Sequence, residues 1–212
     1  ITPRTKVLLP VHYAGHPIEM EPLLQLANQH DLAIVEDAAH ALPAGDGGQR
    51  IGGSHRLCAF SFYATKNYTT AEGGMLTGDP QLIERARLMS LHGMSRNAWS
   101  RYSEAGSWYY EVVGPGYKCN MTDVQAAIGL HQRAKMEKFQ ARRREIWDRY
   151  NEAFGRCDWL ETPVIRPGVE HARHLYVLRL RSDSAIKRDQ LIDGLKQRGI
   201  GSSVHFIPIR LH

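Results

Sequence analysis

The spacing of apolar and polar residues predicts a strand, a helix and a second strand at the start of the chain. A short apolar run at residues 6–11 ends in a turn at residues 14–17. Apolar residues then recur every three or four positions over residues 18–30, the spacing of an amphipathic helix. A second apolar run, residues 32–35, stops at two acidic residues. Its continuous hydrophobicity favours a strand buried on both faces of a parallel sheet.

Turn-forming and apolar segments alternate over the next part of the chain. The glycines between residues 45 and 53 predict turns, and the apolar runs at residues 57–63 and 74–77 predict two further strands. Helical spacing returns at residues 80–91. Residues 93–118 are rich in Gly, Ser, Tyr and Trp and show no period, which predicts a long loop. Long loops in compact domains are usually functional.

A long helix is predicted after Asn120, because this residue is a favourable N-cap and apolar residues follow it at helical spacing. The apolar stripe comprises Val124, Ala127, Ile128, Phe139, Ile146, Trp147, Tyr150 and Phe154. Much of the excess positive charge lies on the same helix, at Arg133, Lys135, Lys138, Arg142, Arg143 and Arg144. We expect these residues to form a solvated face, because the opposite face is apolar. A nucleic-acid-binding stripe is the alternative, and salt-dependent retention on DNA would test it.

The pattern changes after the long helix. Residues 174–180 predict a strand, residues 186–198 a helix and residues 203–209 another strand. This order predicts a large α/β domain over residues 1–154, which includes the long helix, and a small α+β domain over residues 155–212.

The composition is that of an average globular protein. Hydrophobic residues make up 42% of the 212 residues and charged residues 23%, with a net charge of +5. No stretch approaches the roughly 20 apolar residues that cross a bilayer, so we expect no membrane partner. The N-terminus has neither an initiator methionine nor a signal-peptide pattern, which indicates an internal start. Cys58, Cys119 and Cys157 lack metal-type spacing, so we expect no metal site. Two of the three lie in apolar or aromatic surroundings, which indicates buried thiols in a reducing cytoplasm.

Two side chains at neighbouring strand ends point to cofactor chemistry. Asp37 closes a buried strand, and open α/β sheets bind ligands outside the carboxyl ends of their strands. Lys66 follows another buried strand, where desolvation is expected to lower the pKa of its amine and let it form a Schiff base with an aldehyde. Pyridoxal phosphate also needs an acid for its pyridine nitrogen and donors for its phosphate, which Asp37 and Ser61 would supply.

Five segments of the chain resemble the DegT/StrS family of sugar aminotransferases. They are VEDAAHA at residues 35–41, FSFYATKN at 60–67, EGGM at 72–75, GYKxNMTD at 116–123 and HAxHLY at 171–176. The resemblance runs from residue 7 to residue 212 in the family's order and spacing. Asp37 and Lys66 are 66 − 37 = 29 positions apart, as the family's pattern requires. Relatives that carry out dehydration have histidine in place of this lysine, so Lys66 argues against that branch.

The resemblance implies part of a fold type I architecture, with an aspartate aminotransferase-like large domain and the start of a small α+β domain. It also implies a homodimer with active sites at its interface, pyridoxal 5'-phosphate as cofactor, and amino transfer from glutamate to a keto sugar on a nucleotide diphosphate. By position, Lys66 would bind the cofactor covalently and move protons, Asp37 would keep the pyridine nitrogen protonated, and Ser61 would contact the phosphate. His40 would lie against the cofactor ring or its hydroxyl. Asn120 would reach the phosphate of the neighbouring subunit's cofactor.

Each of these residues also has an alternative role. The alternatives are a cap within the turn for His40, a small strand residue at Ser61, an N-cap alone for Asn120, and an exposed loop lysine at Lys66. His171 and His174 are three positions apart but have no third ligand at suitable spacing, so we interpret them as structural.

The chain also departs from the family pattern. Arg210 stands where the family often has histidine, and family members are nearly twice as long. The segment that contributes phosphate donors and much of the sugar-nucleotide pocket is expected to be missing, which would leave an unprotected sheet edge. A second hypothesis is therefore a non-catalytic remnant or regulatory module that keeps the aminotransferase fold. An absorption spectrum that responds to glutamate would separate the enzyme from the module.

Overall fold

A computed structural model describes residues 1–95 and 109–211. The strands are β1 (Val7–Leu8), β2 (Ala33–Asp37), β3 (Gly45–Asp46), β4 (Gln49–Arg50), β5 (Leu57–Ser61), β6 (Gly74–Thr77), β7 (Leu160–Glu161), β8 (Val169–Glu170) and β9 (Arg179–Leu180). The helices are α1 (Met20–His30), α2 (Pro80–Ser90), α3 (Asp123–Phe154) and α4 (Arg188–Gln197). Short 3-10 turns occur at Tyr13–Gly15 and Ile209–Leu211. Of the helices in these two ranges, none is long and apolar enough to cross a membrane.

The chain forms two compact units. The first comprises Ile1–Glu145 and Ile165–Leu175, and the second comprises Ile146–Val164 and Tyr176–His212. Helix α3 contributes residues to both units. The domain boundary predicted at residue 154 stays a prediction.

A four-stranded sheet forms the first unit's centre, in the order β1-β2-β5-β6. The pairs β1/β2 and β2/β5 are parallel, and β6 runs antiparallel to β5. Helix α1 connects β1 to β2, which confirms the predicted strand–helix–strand unit. It ends at His30, and the left-handed backbone of the C-cap residue Asp31 (φ 50°) lets the following chain turn back into β2.

The two faces of the β2/β5 pair differ in environment. Glu36, Cys58 and Phe60 are buried on one face, whereas Asp37 and Ser61 on the other face are only half-buried. This alternation follows from the period of two in a strand. The buried face joins a core composed of Ala38, Ala41, Ala44, Cys58, Phe60, Phe62 and Ala172.

A second, small sheet brings a distant part of the chain into the first unit. Strand β3 pairs with β4 on one side and with β8 on the other, where Gly45 is opposite Glu170. The β3/β4 hairpin turns through Gly47 and Gly48, which both have positive φ, at 55° and 80°. Residues 171–175 follow β8 directly, and Ala172 among them is fully buried in the core.

Aromatic packing organises the second unit. The ring of Tyr176 contacts Trp147, Tyr150 and Phe154 on helix α3, at centroid distances of 4.7, 5.0 and 6.0 Å. The Tyr176 hydroxyl also donates to Asn151 Oδ1 at 2.7 Å. Only Trp147 of the predicted α3 stripe is buried. Strands β7 and β9 of this unit pair antiparallel.

Two predicted strands of the C-terminal region are largely absent. The strand predicted at residues 174–180 is reduced to β9, because the backbone N–H groups of His174 and Leu175 donate to Ala14 O at 3.1 and 3.2 Å. Within the two described ranges, residues 203–209 form no strand, and the 3-10 turn at Ile209–Leu211 begins at the last of them.

The N-cap predicted for α3 was also wrong. The helix begins at Asp123 rather than after Asn120, and Thr122 forms its cap. Thr122 Oγ1 accepts the Gln125 N–H at 3.3 Å, while Gln125 Oε1 accepts the Thr122 N–H at 2.9 Å. This reciprocal pair is a capping box with glutamine at the third helical position, a signal that the Asn120 interpretation overlooked.

Most of the predicted solvated face of α3 is exposed. The basic residues of α3 are exposed except Arg143, which is half-buried and donates to Arg173 O at 3.4 Å.

The loop predicted at residues 93–118 is described only at its two ends, because residues 96–108 lie outside the described residues. The described ends take part in the isolated bridges Leu91–Lys118 and Met94–Val112.

Candidate functional site

The carboxyl ends of β2 and β5 bring the predicted acid and the predicted lysine segment to one edge of the sheet. Asp37 is the last residue of β2 and lies opposite Ala59 of β5, whose carbonyl accepts the Ala38 N–H at 2.8 Å. Ser61 is the last residue of β5, two positions after Ala59 and therefore on the same face. Lys66 lies in the turn that follows, where its N–H donates to Tyr63 O at 2.9 Å.

Hydrogen bonds of the Asp37 backbone and of the following turn hold this residue in place. Its N–H donates to Pro10 O at 2.8 Å, and its carbonyl accepts the His12 N–H at 3.0 Å. Oδ1 of its carboxylate accepts the Ala39 N–H at 2.9 Å. Within residues 1–95 and 109–211, Oδ2 has no hydrogen-bond partner, so a charged acceptor is available on this face.

A buried network supports the neighbouring Glu36 on the opposite face. His12 Nε2 donates to Glu36 Oε2 at 2.9 Å, and Arg56 Nε donates to Glu36 Oε1 at 2.6 Å. His12 Nδ1 accepts the Ile18 N–H at 3.1 Å, so its proton is on Nε2. Burial alone would raise the pKa of Glu36, but the hydrogen bonds from His12 and Arg56 and the charge of Arg56 together hold it below its ordinary value.

Cys58 is opposite Glu36 in the register and takes no part in this network. Its side chain is fully buried, and burial together with the charge of Glu36 raises the pKa of its thiol to about 12. The expectation of buried thiols holds for Cys58. It was wrong for Cys119, which is exposed, while Cys157 is intermediate and all three cysteines are free.

Among the described residues, Ser61 and Lys66 each have a polar group near this edge that can form a further hydrogen bond. Ser61 Oγ accepts the Tyr63 N–H at 3.3 Å, which leaves its hydroxyl proton for a further acceptor. Lys66 is half-buried, and in the part of the chain that is described no hydrogen bond or ion pair engages its Nζ. The turn that carries it is closed by Thr70, whose N–H donates to Phe62 O at 2.9 Å and whose side chain is 1% exposed.

His40 lies in the turn after Asp37 and contacts two other elements. Its Nδ1 accepts the Ala14 N–H at 3.2 Å, and its ring centroid is 4.4 Å from that of His174. His174 in turn meets Asn67, the residue after Lys66, at 3.0 Å between Nδ1 and Oδ1. His171 faces elsewhere, with its ring 5.4 Å from that of His16, so the two histidines of the HAxHLY motif have different partners.

The sequence prediction did not include Asn67, His174, His12 or Glu36 among the site residues. Two signals were available: Asn67 follows the proposed cofactor lysine directly, and Glu36 precedes Asp37 in the same strand. His174 was interpreted as structural, because the sequence offers no third metal ligand at suitable spacing from His171 and His174. No periodic pattern reveals His12, which reaches Glu36 across 24 positions of sequence.

Asn120 is not brought to the other candidate residues. Its Oδ1 accepts a short hydrogen bond from Lys118 Nζ, and its Nδ2 donates to Met121 O at 3.5 Å. No contact described in this chain joins it to Lys66, Asp37 or His40. Since α3 begins three residues later, Asn120 does not cap the helix either.

Comparisons with known proteins agree with this architecture. The model of the DegT/DnrJ/EryC1/StrS aminotransferase family matches residues 1–212. The chain is 53% identical over its whole length to the uncharacterised protein MJ1066 of Methanocaldococcus jannaschii, and 49% identical to the spore coat polysaccharide biosynthesis protein SpsC of Bacillus subtilis. It covers 55% of each, so the chain spans about half the length of these relatives.

Solved structures give the same result. Spr1654 of Streptococcus pneumoniae in its PMP form superposes with a TM-score of 0.89 at 36% identity, over 100% of this chain and 58% of that one. Helicobacter pylori PseC, an aminotransferase involved in the biosynthesis of pseudoaminic acid, gives 0.89 at 29% identity, over 100% and 55%. These neighbours confirm a partial fold type I α/β architecture. The chain belongs to the DegT/DnrJ/EryC1/StrS aminotransferase family.

Proposed function

We propose that the protein is a pyridoxal-phosphate-dependent aminotransferase that moves an amino group from glutamate to a keto sugar carried on a nucleotide diphosphate. The observation that carries the proposal is the edge of the β2/β5 pair, where Asp37 ends one strand and the turn with Lys66 follows the other. Ligands of open α/β sheets bind outside such carboxyl ends. Membership of an aminotransferase family supports the same reaction.

The polar groups at this edge fit the cofactor's chemistry. In the described chain, this edge offers a carboxylate with one vacant oxygen, an amine without a partner and a hydroxyl with an available proton. A cationic ring nitrogen requires the carboxylate, an aldehyde requires the amine, and a phosphate requires the hydroxyl. Asp37, Lys66 and Ser61 would therefore hold the cofactor. When bound, the cofactor supplies an electron sink next to the amino-bearing carbon.

Each of these residues has a separate task in the reaction. The charge of Asp37 would keep a proton on the ring nitrogen. The amine of Lys66 would hold the cofactor covalently at rest and, once released, would carry a proton between carbon atoms. Ser61 would donate to the phosphate, and His40 would lie against the ring or its hydroxyl.

The substrates and assembly are proposals that rest on the family. The relatives include a protein of spore coat polysaccharide biosynthesis and an aminotransferase of pseudoaminic acid biosynthesis, which supports a sugar as the amino acceptor. Glutamate is the proposed donor, and the proposed location is the cytoplasm. We further propose a two-fold symmetric dimer in which Asn120 serves the cofactor of the other subunit.

Replacement of Lys66 tests the cofactor assignment. The parent protein loaded with pyridoxal phosphate should absorb visible light, and borohydride should fix the cofactor to the peptide that contains Lys66, as mass spectrometry would show. Lys66→Ala should lose both the band and the fixed mass, whereas Lys135→Ala on the exposed face of α3 should retain them. A reducible band of equal intensity in Lys66→Ala would contradict the assignment.

Addition of glutamate tests turnover separately from binding. In an aminotransferase the visible band should shift when glutamate is added, because the amino group passes to the cofactor. A loaded protein whose spectrum ignores glutamate would instead be the non-catalytic module.

A further inference from the structure

Asn67 and His174 bind each other beside Lys66 and His40, and the proposed function gives neither of them a task. Asn67 Nδ2 donates to Ala172 O at 2.6 Å. A carbonyl only accepts, so this bond fixes the orientation of the amide and turns Oδ1 towards His174 Nδ1, 3.0 Å away. Because an amide oxygen also only accepts, His174 carries a proton on Nδ1.

In His40 the other ring nitrogen carries the proton. The backbone N–H of Ala14 donates to its Nδ1 at 3.2 Å, so that nitrogen is a bare acceptor and the proton of the neutral ring is on Nε2. The two rings are 4.4 Å apart between centroids and are inclined by 42°. Two packed imidazoles are therefore held in different tautomers by two different partners.

The turn at Tyr13–Gly15 holds both the N–H that donates to His40 and the segment that carries His174. Ala14 O accepts the N–H groups of His174 and Leu175, and Gly15 O accepts that of Ala172 at 2.8 Å. Gly15 has a φ of 96°, and a Cβ there would come within 2.8 Å of Ala172 Cβ, so the approach requires glycine. The same turn thus places the donor to His40 and the chain that carries His174.

We propose that Asn67 and His174 are positioning residues for His40. Asn67 holds His174 as the Nδ1–H tautomer, and the fixed His174 ring packs against His40, whose Nδ1 is already occupied by the Ala14 N–H. Towards a cofactor oxygen, His40 would therefore act as a hydrogen-bond donor through Nε2–H. This role for His40 rests on the proposed function, whereas the tautomers of the two rings do not.

The tautomers can be measured without cofactor. In protein labelled with ¹⁵N-histidine, long-range ¹H–¹⁵N spectra distinguish the two ring nitrogens, and spectra of His40→Gln and His174→Gln assign the two signals. We expect Nε2–H at His40 and Nδ1–H at His174. Since a neutral imidazole in water favours Nε2–H, Asn67→Ala should return His174 to that form.

Gln140→Leu is the matched control. Gln140 Nε2 also donates to Ala172 O, at 3.1 Å, but no described contact joins it to His174. This variant should lose a hydrogen bond to the same carbonyl and keep the Nδ1–H signal. An Nε2–H signal for His174 in the parent protein would overturn the proposal even if Asn67→Ala does not fold, and so would an unchanged signal in Asn67→Ala.

A rate measurement connects the tautomer to the reaction. Groups that orient a site residue commonly change activity by 10- to 100-fold, so Asn67→Ala should lower the glutamate half-reaction by roughly tenfold. Gln140→Leu should change it less than about twofold. A switched tautomer with an unchanged rate would overturn the positioning role. If the parent protein has no activity, the proposed function fails, while the spectra still decide the tautomers.

Discussion

Two adjacent carboxylates, Glu36 and Asp37, have opposite environments because they occupy opposite faces of one strand. Glu36 is 1% exposed and engaged by a histidine and an arginine, whereas Asp37 is half-buried with one oxygen vacant. The buried carboxylate therefore belongs to the structural network of the strand, and the half-buried one is the residue for which we propose a role in cofactor binding. This separation of roles leads to one prediction for each residue.

Replacing Asp37 by Asn should remove the negative charge at the carboxyl end of β2 and keep the turn that follows this strand. The amide oxygen can still accept the Ala39 N–H, so the backbone should not change. Without the carboxylate, the ring nitrogen loses its proton, and the half-reaction with glutamate should slow by orders of magnitude with cofactor still bound. Stopped-flow absorbance measures this rate. Asp31→Asn, at the end of α1, is the control, and a near-normal rate in Asp37→Asn would refute the role.

Replacing Arg56 by Met should leave a buried carboxylate with a histidine as its only ligand. Since Arg56 is 30% exposed and His12 remains, we expect the free energy of unfolding to fall by about 2 kcal/mol. Arg50→Met removes an arginine from an exposed pair with Glu170 and should cost less than about 1 kcal/mol. Urea denaturation compares the two variants, and equal losses would show that burial of Glu36 does not matter.

At the scale of elements, helix α3 passes unusually close to the turn after Lys66. A Cβ at Gly129 would lie 2.8 Å from the Tyr68 hydroxyl and 3.1 Å from Thr70 Cγ2. Tyr68 can move aside, but Thr70 is 1% exposed and closes the turn that carries the lysine. Glycine at position 129 therefore allows this close contact, although glycine has a poor helix propensity.

A pair of glycine substitutions tests this interpretation. Gly194→Ala in α4 meets only Arg198 NH1, at 3.8 Å, and should stabilise the protein by about 0.5–1 kcal/mol through helix propensity. Gly129→Ala gains the same propensity but crowds Thr70, so its unfolding free energy should stay at or below that of the parent. Urea denaturation of both variants gives the comparison, and equal stabilisation would show that the close approach is not constraining.

The helices and strands also show how much of the fold could be predicted from the sequence. The central strands, α1 and α2 appear where apolar runs and helical spacing placed them, because each follows from a local pattern. The strand predicted at residues 174–180 failed because the hydrogen bonds of His174 and Leu175 go to a turn far away in sequence. Motifs led to the predictions for Asp37, Lys66, Ser61 and His40, which stay predictions. The pairing of Asn67 with His174 could not be predicted, because it depends on a contact across 107 positions between two separate motifs.

For the molecule as a whole, a buried neutral histidine predicts sensitivity to acid. Burial, together with the charges of His16 and Arg173, lowers the pKa of His171 to about 3. The unfolded chain, with a histidine pKa of about 6.5, binds this proton more readily, so stability is full above that pH and is lost as the pH falls towards 3. Glu36, with its lowered pKa, acts in the same direction at lower pH.

Unfolding free energies between pH 7 and pH 5 measure this contribution. Below about pH 6.5, His171 should contribute a loss of roughly 1.4 kcal/mol per pH unit. His171→Asn keeps an acceptor for the Arg173 N–H at the position of Nδ1 but cannot titrate, so its curve should be shallower. His131→Asn, on the exposed face of α3, should retain the parent slope. Equal slopes for the two variants would exclude His171 as the source.

Mixing two inactive variants tests the proposed dimer. If Asn120 serves the other subunit, a mixed dimer of Lys66→Ala and Asn120→Ala has one site with both residues intact. Random exchange makes half of the dimers mixed, so about a quarter of the sites should recover activity. Mixtures that stay inactive would contradict the shared site, as would a monomer in sedimentation with cofactor bound.

The hydrogen bonds between the turn at Tyr13–Gly15, Asn67 and residues 172–175 also impose an order on biosynthesis. Asn67 and Ala172 are 105 positions apart, so at 5–20 residues per second the ribosome adds the later residue roughly 5–20 s after the earlier one. During that interval the emerging chain already contains Asp37 and Lys66, but the Asn67 amide and the Ala14 and Gly15 carbonyls still await their partners. A nascent chain arrested before residue 172 leaves the exit tunnel should therefore have the central strands but an unfinished site.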